Sequence, residues 1–137
     1  MGLILDTSVL IAGERRGISV LQILDAVKNL QGTQPIELSV ITVMELTHGI
    51  YRAKSAAQAE RRRDFVDEVK AIFAVHDFTS PIATLAGRIE GEQAAVGNSI
   101  AFQDLIIGAT ALSLQFGVLT ANTKHFMLVP SLAVVPF

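Results

Sequence analysis

Short apolar segments alternate along this chain with longer segments in which apolar residues recur at helical spacing. The first, at residues 2–5, is too continuously apolar for a half-exposed strand and predicts a buried one. Further strands are predicted at residues 35–41, 74–78, 117–120 and 133–135, and helices at residues 18–30, 42–51, 57–73, 80–96 and 104–115. Because strands that alternate with helices form parallel sheets, we expect an α/β fold. The expected architecture is a three-layer α/β/α sandwich with a central parallel sheet, in a single domain over residues 1–137.

The composition restricts the kinds of site that the chain can build. It contains no cysteine, which excludes disulfides, zinc–thiolate sites and cysteine nucleophiles, and which is compatible with the cytoplasm. Any metal ion must therefore be held by carboxylates, amides, hydroxyls or the three histidines. The net charge of −2 supplies no general attraction for nucleic acid, so a polyanionic substrate needs a local basic patch.

The sequence predicts no membrane association. The N-terminus lacks the basic region of a signal peptide, and Asp6 interrupts its short apolar run. The uncharged stretch at residues 105–123 contains several polar side chains and a turn signal at Phe116-Gly117. It is therefore interpreted as a buried helix, a turn and a strand.

Three acidic residues stand at equivalent places in this pattern. Asp6 interrupts the apolar stretch LILDTSVLI directly after the first strand, where an unpaired buried carboxylate is costly. Glu45 follows the second predicted strand by four residues, and Asp104 opens the helix that precedes the fourth. The carboxyl ends of parallel strands meet at one edge of a sheet, so the three acids are expected in one crevice. Carboxylates so placed repel each other unless a cation neutralises them, and oxygen ligands favour Mg²⁺ or Mn²⁺.

Each acid also has a purely structural interpretation. Asp6 is consistent with a turn residue or with the N-cap of a short helix at residues 7–14. The pattern Thr42-x-x-Glu45 is that of a capping box, and Asp104 is placed to cap a helix that starts with Leu105. The functional interpretation therefore depends on the coincidence of all three.

Polar and basic residues near these acids complete the predicted site. Hydroxyl groups flank Asp6 at Thr7 and Ser8, and short polar side chains end the fourth strand at Thr120 and Asn122, although a backbone turn explains Asn122 equally well.

Phosphate contacts are assigned to three arginines near the ends of the first and third helical segments, Arg15, Arg16 and Arg52. The denser cluster at residues 61–63 is at least as consistent with a solvated helix surface, because three consecutive residues cannot face one groove.

Three segments together resemble the PIN domain, and most of all the small VapC-type toxins of bacterial toxin–antitoxin modules. They are LILDTSVLI, SVITVMELTHGIYRA and FQDLIIGATALSLQFGVLTANTKHF, in that order over nearly the whole chain. The resemblance implies a metal-dependent endoribonuclease in which Asp6, Glu45 and Asp104 bind Mg²⁺ or Mn²⁺. It implies polar roles around the metal or its water for Thr7 or Ser8, and for Thr120 and Asn122. It also implies a homodimer and an antitoxin whose C-terminal segment lies over the active-site crevice.

The sequence departs from the family pattern in one respect. Many members have a fourth acid after the last-but-one strand, whereas residues 120–126 contain none, and Asn122 offers only an uncharged amide. This departure puts a second metal site in doubt and leaves open a PIN-fold module that binds RNA or protein without cleaving it. Two other classes fit less well. A haloacid-dehalogenase-like phosphatase needs an aspartate where Ser8 stands, and a receiver domain needs an acidic pair after the first strand. No nucleotide cofactor is expected.

Overall fold

The computed structural model describes residues 1–137 and consists of a parallel sheet between two layers of helices. The strands are β1 (Leu3–Leu5), β2 (Ile36–Ser39), β3 (Val75–His76), β4 (Gly117–Thr120) and β5 (Val134–Pro136). The helices are α1 (Thr7–Arg15), α2 (Val20–Gln31), α3 (Val40–Tyr51), α4 (Ala56–Ile72), α5 (Ser80–Ala95) and α6 (Phe102–Ser113), followed by a 3₁₀ helix at Thr123–Phe126. This arrangement confirms the predicted α/β sandwich.

Strand β1 lies at the centre of the sheet. The strand order is β3-β2-β1-β4-β5 with every pairing parallel, and Leu3 pairs with Ile36 on one side and Gly117 on the other. The chain crosses from β1 to β2 in one direction and reaches β4 in the other, so the topology reverses at β1. Crevices for ligands form at such reversals, outside the carboxyl ends of the strands. Asp6, the first residue after β1, lies at this point.

The two faces of the sheet carry separate apolar cores. Leu3 and Leu5 pack with α1, α2 and α4, whereas Ile4 points to the opposite face and packs with α5 and α6. Every residue of β1 is buried, as expected for a strand covered on both faces. No helix in the structure is long and apolar enough to cross a membrane, and the stretch at residues 105–123 forms most of α6, a turn and β4.

Several predicted boundaries differ from the structure. The second strand is shorter than the predicted 35–41, because the Ser39 hydroxyl accepts the Ile41 N–H and starts α3 at Val40. Helix α6 begins at Phe102 rather than at Asp104, and β3 has only two residues of the predicted 74–78. The 3₁₀ helix after β4 was not predicted.

The packing of α1 against α2 depends on a glycine. A Cβ atom at Gly13 would lie 2.3 Å from Cδ1 of Ile23, whereas a Cβ at the exposed helical Gly91 meets nothing within 4 Å. We expect Gly13→Ala to lower the free energy of unfolding by about 1–3 kcal/mol through overpacking. The matched change Gly91→Ala should raise it by about 0.5–1 kcal/mol, because alanine favours the helix. Urea unfolding of both variants measures the difference, and equal effects would contradict this account.

Candidate functional site

The three acids meet in one cleft at the carboxyl edge of the sheet. The cleft has a volume of about 340 Å³. Its lining combines the predicted acids with their polar neighbours: Asp6, Thr7, Ser8, Ile11, Glu45, Gln103, Asp104, Asn122 and His125. The spatial convergence expected from the strand and helix order is therefore present.

Asp6 is almost completely buried and is held by two hydroxyl groups. The residue is 4% exposed, and its Oδ2 atom accepts hydrogen bonds from Ser8 Oγ at 2.7 Å and Thr120 Oγ1 at 2.8 Å. Asp6 does occupy the N-cap position of α1, but its side chain makes no capping hydrogen bond. The predicted N-cap position is therefore confirmed, but the carboxylate does not cap the helix, and its Oδ1 atom carries no hydrogen bond from the protein.

Glu45 lies in the second turn of α3, not in the first. The helix is capped by Ser39, so the predicted capping box Thr42-x-x-Glu45 does not form. Instead, Oε1 of Glu45 accepts a hydrogen bond of 2.7 Å from the hydroxyl of Thr7, which is 38 residues away in the sequence. This contact joins the α3 acid to the segment that carries Asp6.

Asp104 is the third residue of α6 and does not cap it. The N-cap residue is Ala101, which makes no side-chain hydrogen bond to the helix. Oδ2 of Asp104 lies 3.5 Å from Nδ1 of His125, in the 3₁₀ helix after β4. His125 was not among the predicted site residues, because an isolated histidine gives no signal of its own.

Burial and mutual repulsion raise the pKa values of two of the acids. Burial contributes most to the raised pKa of Glu45, and the negative charges of Asp6 and Asp104 add to it, against the hydrogen bond from Thr7. Burial likewise raises the pKa of Asp104, with a further contribution from the charge of Asp6 and an opposing one from His125. The cleft therefore disfavours the accumulated negative charge and favours a cation.

The hydroxyl groups around Asp6 also fix the loop after β4. Ser8 Oγ accepts the backbone N–H of Ala121 at 3.1 Å, and Thr120 Oγ1 accepts that of Asn122 at 2.9 Å. Of the four predicted supporting residues, Thr7, Ser8 and Thr120 thus contact the acids by side-chain hydrogen bonds. Asn122 lines the cleft and is held by its backbone.

The donor atoms of the cleft suit a hard cation, although they do not surround one. Carboxylate, hydroxyl and amide oxygens are the ligands that Mg²⁺ and Mn²⁺ prefer. No group of three or more histidine, aspartate and glutamate side chains is placed to hold one ion as the side chains stand. The chemistry of the donor set fits such an ion, and its coordination requires side-chain adjustment.

A smaller cavity of about 80 Å³ adjoins the cleft and shares Ile11 and Glu45 with it. Of the three arginines predicted to contact phosphates, Arg15 and Arg52 line this cavity and Arg16 does not. The other lining residues are Glu14, Leu46, Gly49, Arg62, Phe65 and Val66.

Arg62 lines this cavity, although it was not selected from the basic cluster at residues 61–63, for which a solvated helix surface was at least as consistent. It donates from Nη1 to the carbonyl oxygen of Gly49 at 2.6 Å, and its Nε lies 3.6 Å from Oε1 of Glu14. The sequence signal for this position is helical spacing: Arg62 lies three and four residues before Phe65 and Val66, which face the core side of α4.

These elements define a known class of protein. The sequence model of the PIN domain matches residues 3–129, and the chain belongs to the PIN domain family. It is similar to "Ribonuclease VapC" of Rickettsia bellii, at 33% identity over 135 residues that cover 98% of this chain and 96% of the relative.

Two solved structures share the fold over almost the full length. The DNA-bound VapBC structure from Salmonella typhimurium matches with a TM-score of 0.82 and 26% identity, over 99% of this chain and 98% of that one. VapBC2 from Rickettsia felis, bound to a promoter DNA fragment, matches with a TM-score of 0.83 and 21% identity over the same shares.

The raised pKa of Asp104 predicts a stability gain when its charge is removed. Its ionised form is less favourable in the folded protein than in the unfolded chain, so stability is lost as the pH rises through the folded-state pKa. In EDTA at neutral pH, Asp104→Asn should therefore raise the melting temperature, by a few degrees. The gain should shrink as the pH falls toward about 4, the ordinary pKa of an aspartate, because the wild-type carboxyl then becomes increasingly protonated in the folded protein. Asp25→Asn, at an exposed site on α2, is the control. A lower melting temperature for Asp104→Asn at neutral pH would contradict the argument.

Proposed function

We propose that this chain is a Mg²⁺- or Mn²⁺-dependent endoribonuclease that hydrolyses RNA phosphodiester bonds, as the toxin of a toxin–antitoxin module. The observation that carries the proposal is the meeting of Asp6, Glu45 and Asp104 in one cleft of a PIN-domain chain. RNA as the substrate is supported by the name of the Rickettsia bellii relative. The cytoplasm, where RNA is accessible, is the proposed location.

Asp6, Glu45 and Asp104 are the proposed catalytic residues and would hold the metal. Oδ2 of Asp6 and Oε1 of Glu45 already accept hydrogen bonds from hydroxyl groups, which leaves Oδ1 and Oε2 for a ligand in the cleft. A bound divalent ion would neutralise the phosphodiester charge and lower the pKa of a water molecule. Thr7, Ser8 and Thr120 keep the carboxylates in place, and the Asn122 amide offers a neutral contact for water or phosphate.

Replacing Asp6 tests this assignment. Asp6→Asn preserves the shape of the side chain and an acceptor for Ser8 and Thr120, but removes a negative charge from the cleft. We expect it to reduce RNA cleavage in Mn²⁺ by at least about a hundredfold, and EDTA to abolish cleavage by the wild type. The assay uses a panel of structured and single-stranded RNAs with Mg²⁺, Mn²⁺ or EDTA, and Asp25→Asn as the matched control.

The outcome also separates the nuclease from its alternative, a PIN-fold module that binds RNA or protein without cleaving. The alternative is favoured by one feature, the absence of an acid at residues 120–126. A folded, metal-supplemented wild type that cuts no RNA in the panel would support that module. Cleavage retained in Asp6→Asn would show that these acids are not the catalytic group.

RNA binding is proposed to use the arginines beside the cleft, Arg15 and Arg52, together with Arg16, the exposed residue at the end of α1. Arg15→Gln and Arg52→Gln should each raise KM with little change in kcat, because they contact phosphates away from the reacting bond. For single-stranded RNA, each should reduce the slope of log affinity against log salt concentration by about 0.7. Arg88→Gln, on the exposed face of α5, should change neither. Salt slopes identical to the wild type would contradict a role for these arginines.

The proposed partners are a protein antitoxin and a second copy of this chain. The antitoxin is supported by the Salmonella typhimurium relative, which was solved as a VapBC structure. A homodimer is consistent with large apolar side chains on the surface, among them Met44, Tyr51 and Phe102.

A further inference from the structure

Thr42 is a buried polar residue with no role in the site described so far. It lies in α3 and is 0% exposed. Its Oγ1 atom lies 2.9 Å from Oγ1 of Thr7, and Thr7 Oγ1 lies 2.7 Å from Oε1 of Glu45. Because Ser39 caps the helix, Thr42 is not needed as its cap.

The number of protons sets the direction of these two hydrogen bonds. The Thr7 hydroxyl is placed as the donor to both Thr42 Oγ1 and Glu45 Oε1, but its single proton can serve only one of them at a time. When Glu45 is ionised, its carboxylate can only accept, so the Thr7 proton points to Glu45. The Thr42 hydroxyl, which donates to no other group in the structure, then reverses its role and donates to the oxygen of Thr7. The result is a directed chain from Thr42 through Thr7 to Glu45, in which each hydrogen bond polarises the next.

A second buried threonine follows the usual helical pattern, from which Thr42 departs. A threonine within a helix commonly donates to the carbonyl oxygen of its own preceding turn. Thr110 in α6 does so, with its hydroxyl 2.7 Å from the carbonyl oxygen of Ile106. The hydroxyl of Thr42 instead contacts a residue 35 positions away, on another helix.

We propose that Thr42 is a positioning residue that fixes Glu45 in the cleft by donating a hydrogen bond to Thr7. Thr42 and Glu45 are three residues apart on one face of α3, and the Thr7 hydroxyl joins them from α1. Thr7 directly follows Asp6, so the chain of hydroxyl groups sets the placement of the α3 acid relative to the β1 acid. The effect on metal binding rests on the proposed function of Glu45.

The test measures Mn²⁺ affinity by calorimetry in single and double variants. Thr42→Val removes the hydroxyl with little change of shape and should weaken Mn²⁺ binding about tenfold, as expected for loss of a group that orients a metal ligand. Thr42→Ser should restore the affinity. Thr7→Val should weaken binding at least as much, and Thr42→Val should have almost no further effect in the Thr7→Val background. Thr110→Val, which also loses a buried helical hydroxyl, should bind Mn²⁺ like the wild type.

Two results would overturn the proposal. One is an unchanged Mn²⁺ affinity in Thr42→Val, and the other is an additive loss in the double variant, which shows that Thr42 does not act through Thr7. Thermal melts identify a variant that fails to fold, and Thr42→Ala then replaces Thr42→Val.

A metal-free readout separates this proposal from the proposed function. If the wild type binds no Mn²⁺, the metal-dependent function fails, and crystal structures of the metal-free proteins decide the role of Thr42. A single Glu45 conformer in the wild type and several in Thr42→Val would support positioning. The same single conformer in both would refute it.

Discussion

The structure depends on stabilising one buried carboxylate at the end of its central strand. Asp6 follows three buried residues of β1 and lies where the topology of the sheet reverses. A charge in that position is tolerated only when it is hydrogen-bonded. Ser8 supplies one hydroxyl from the adjacent helix, and Thr120 supplies another from the end of β4, 114 residues away. Stabilisation of Asp6 therefore also joins the two neighbouring strand ends that frame the cleft.

The fold and the three acids were predictable because both depend on short-range patterns. Apolar runs and helical spacing predict the elements, and parallel order then brings residues that follow strands to one edge. The predicted capping box at Thr42-x-x-Glu45 was wrong, because the contacts of these two side chains are long-range. Ser39, three residues earlier, caps the helix instead. The side chains of Thr42 and Glu45 form hydrogen bonds with Thr7 of α1. No local pattern encodes a partner 35 or 38 residues away.

Two residues beside the acids, Arg62 and His125, were not predicted, because the surrounding structure and not their residue type places them there. Arg62 occurs within three consecutive arginines, and only its position on the packed face of α4 distinguishes it from its neighbours. His125 is one of three histidines, and a 3₁₀ helix after β4 brings it beside Asp104. Both positions depend on tertiary packing, which residue type alone does not reveal.

In the loop after β4, different groups determine the geometry of the site and its charge. Backbone N–H groups of Ala121 and Asn122 attach this loop to the hydroxyls of Ser8 and Thr120, and the Asn122 side chain takes no part in that attachment. The side chain at position 122 can therefore change its charge without loss of the backbone hydrogen bonds that hold the loop. An acid there would add a negative charge, whereas the amide leaves the cleft less anionic. A single substitution at this position can therefore change how strongly the cleft attracts a cation, while the fold around it stays the same.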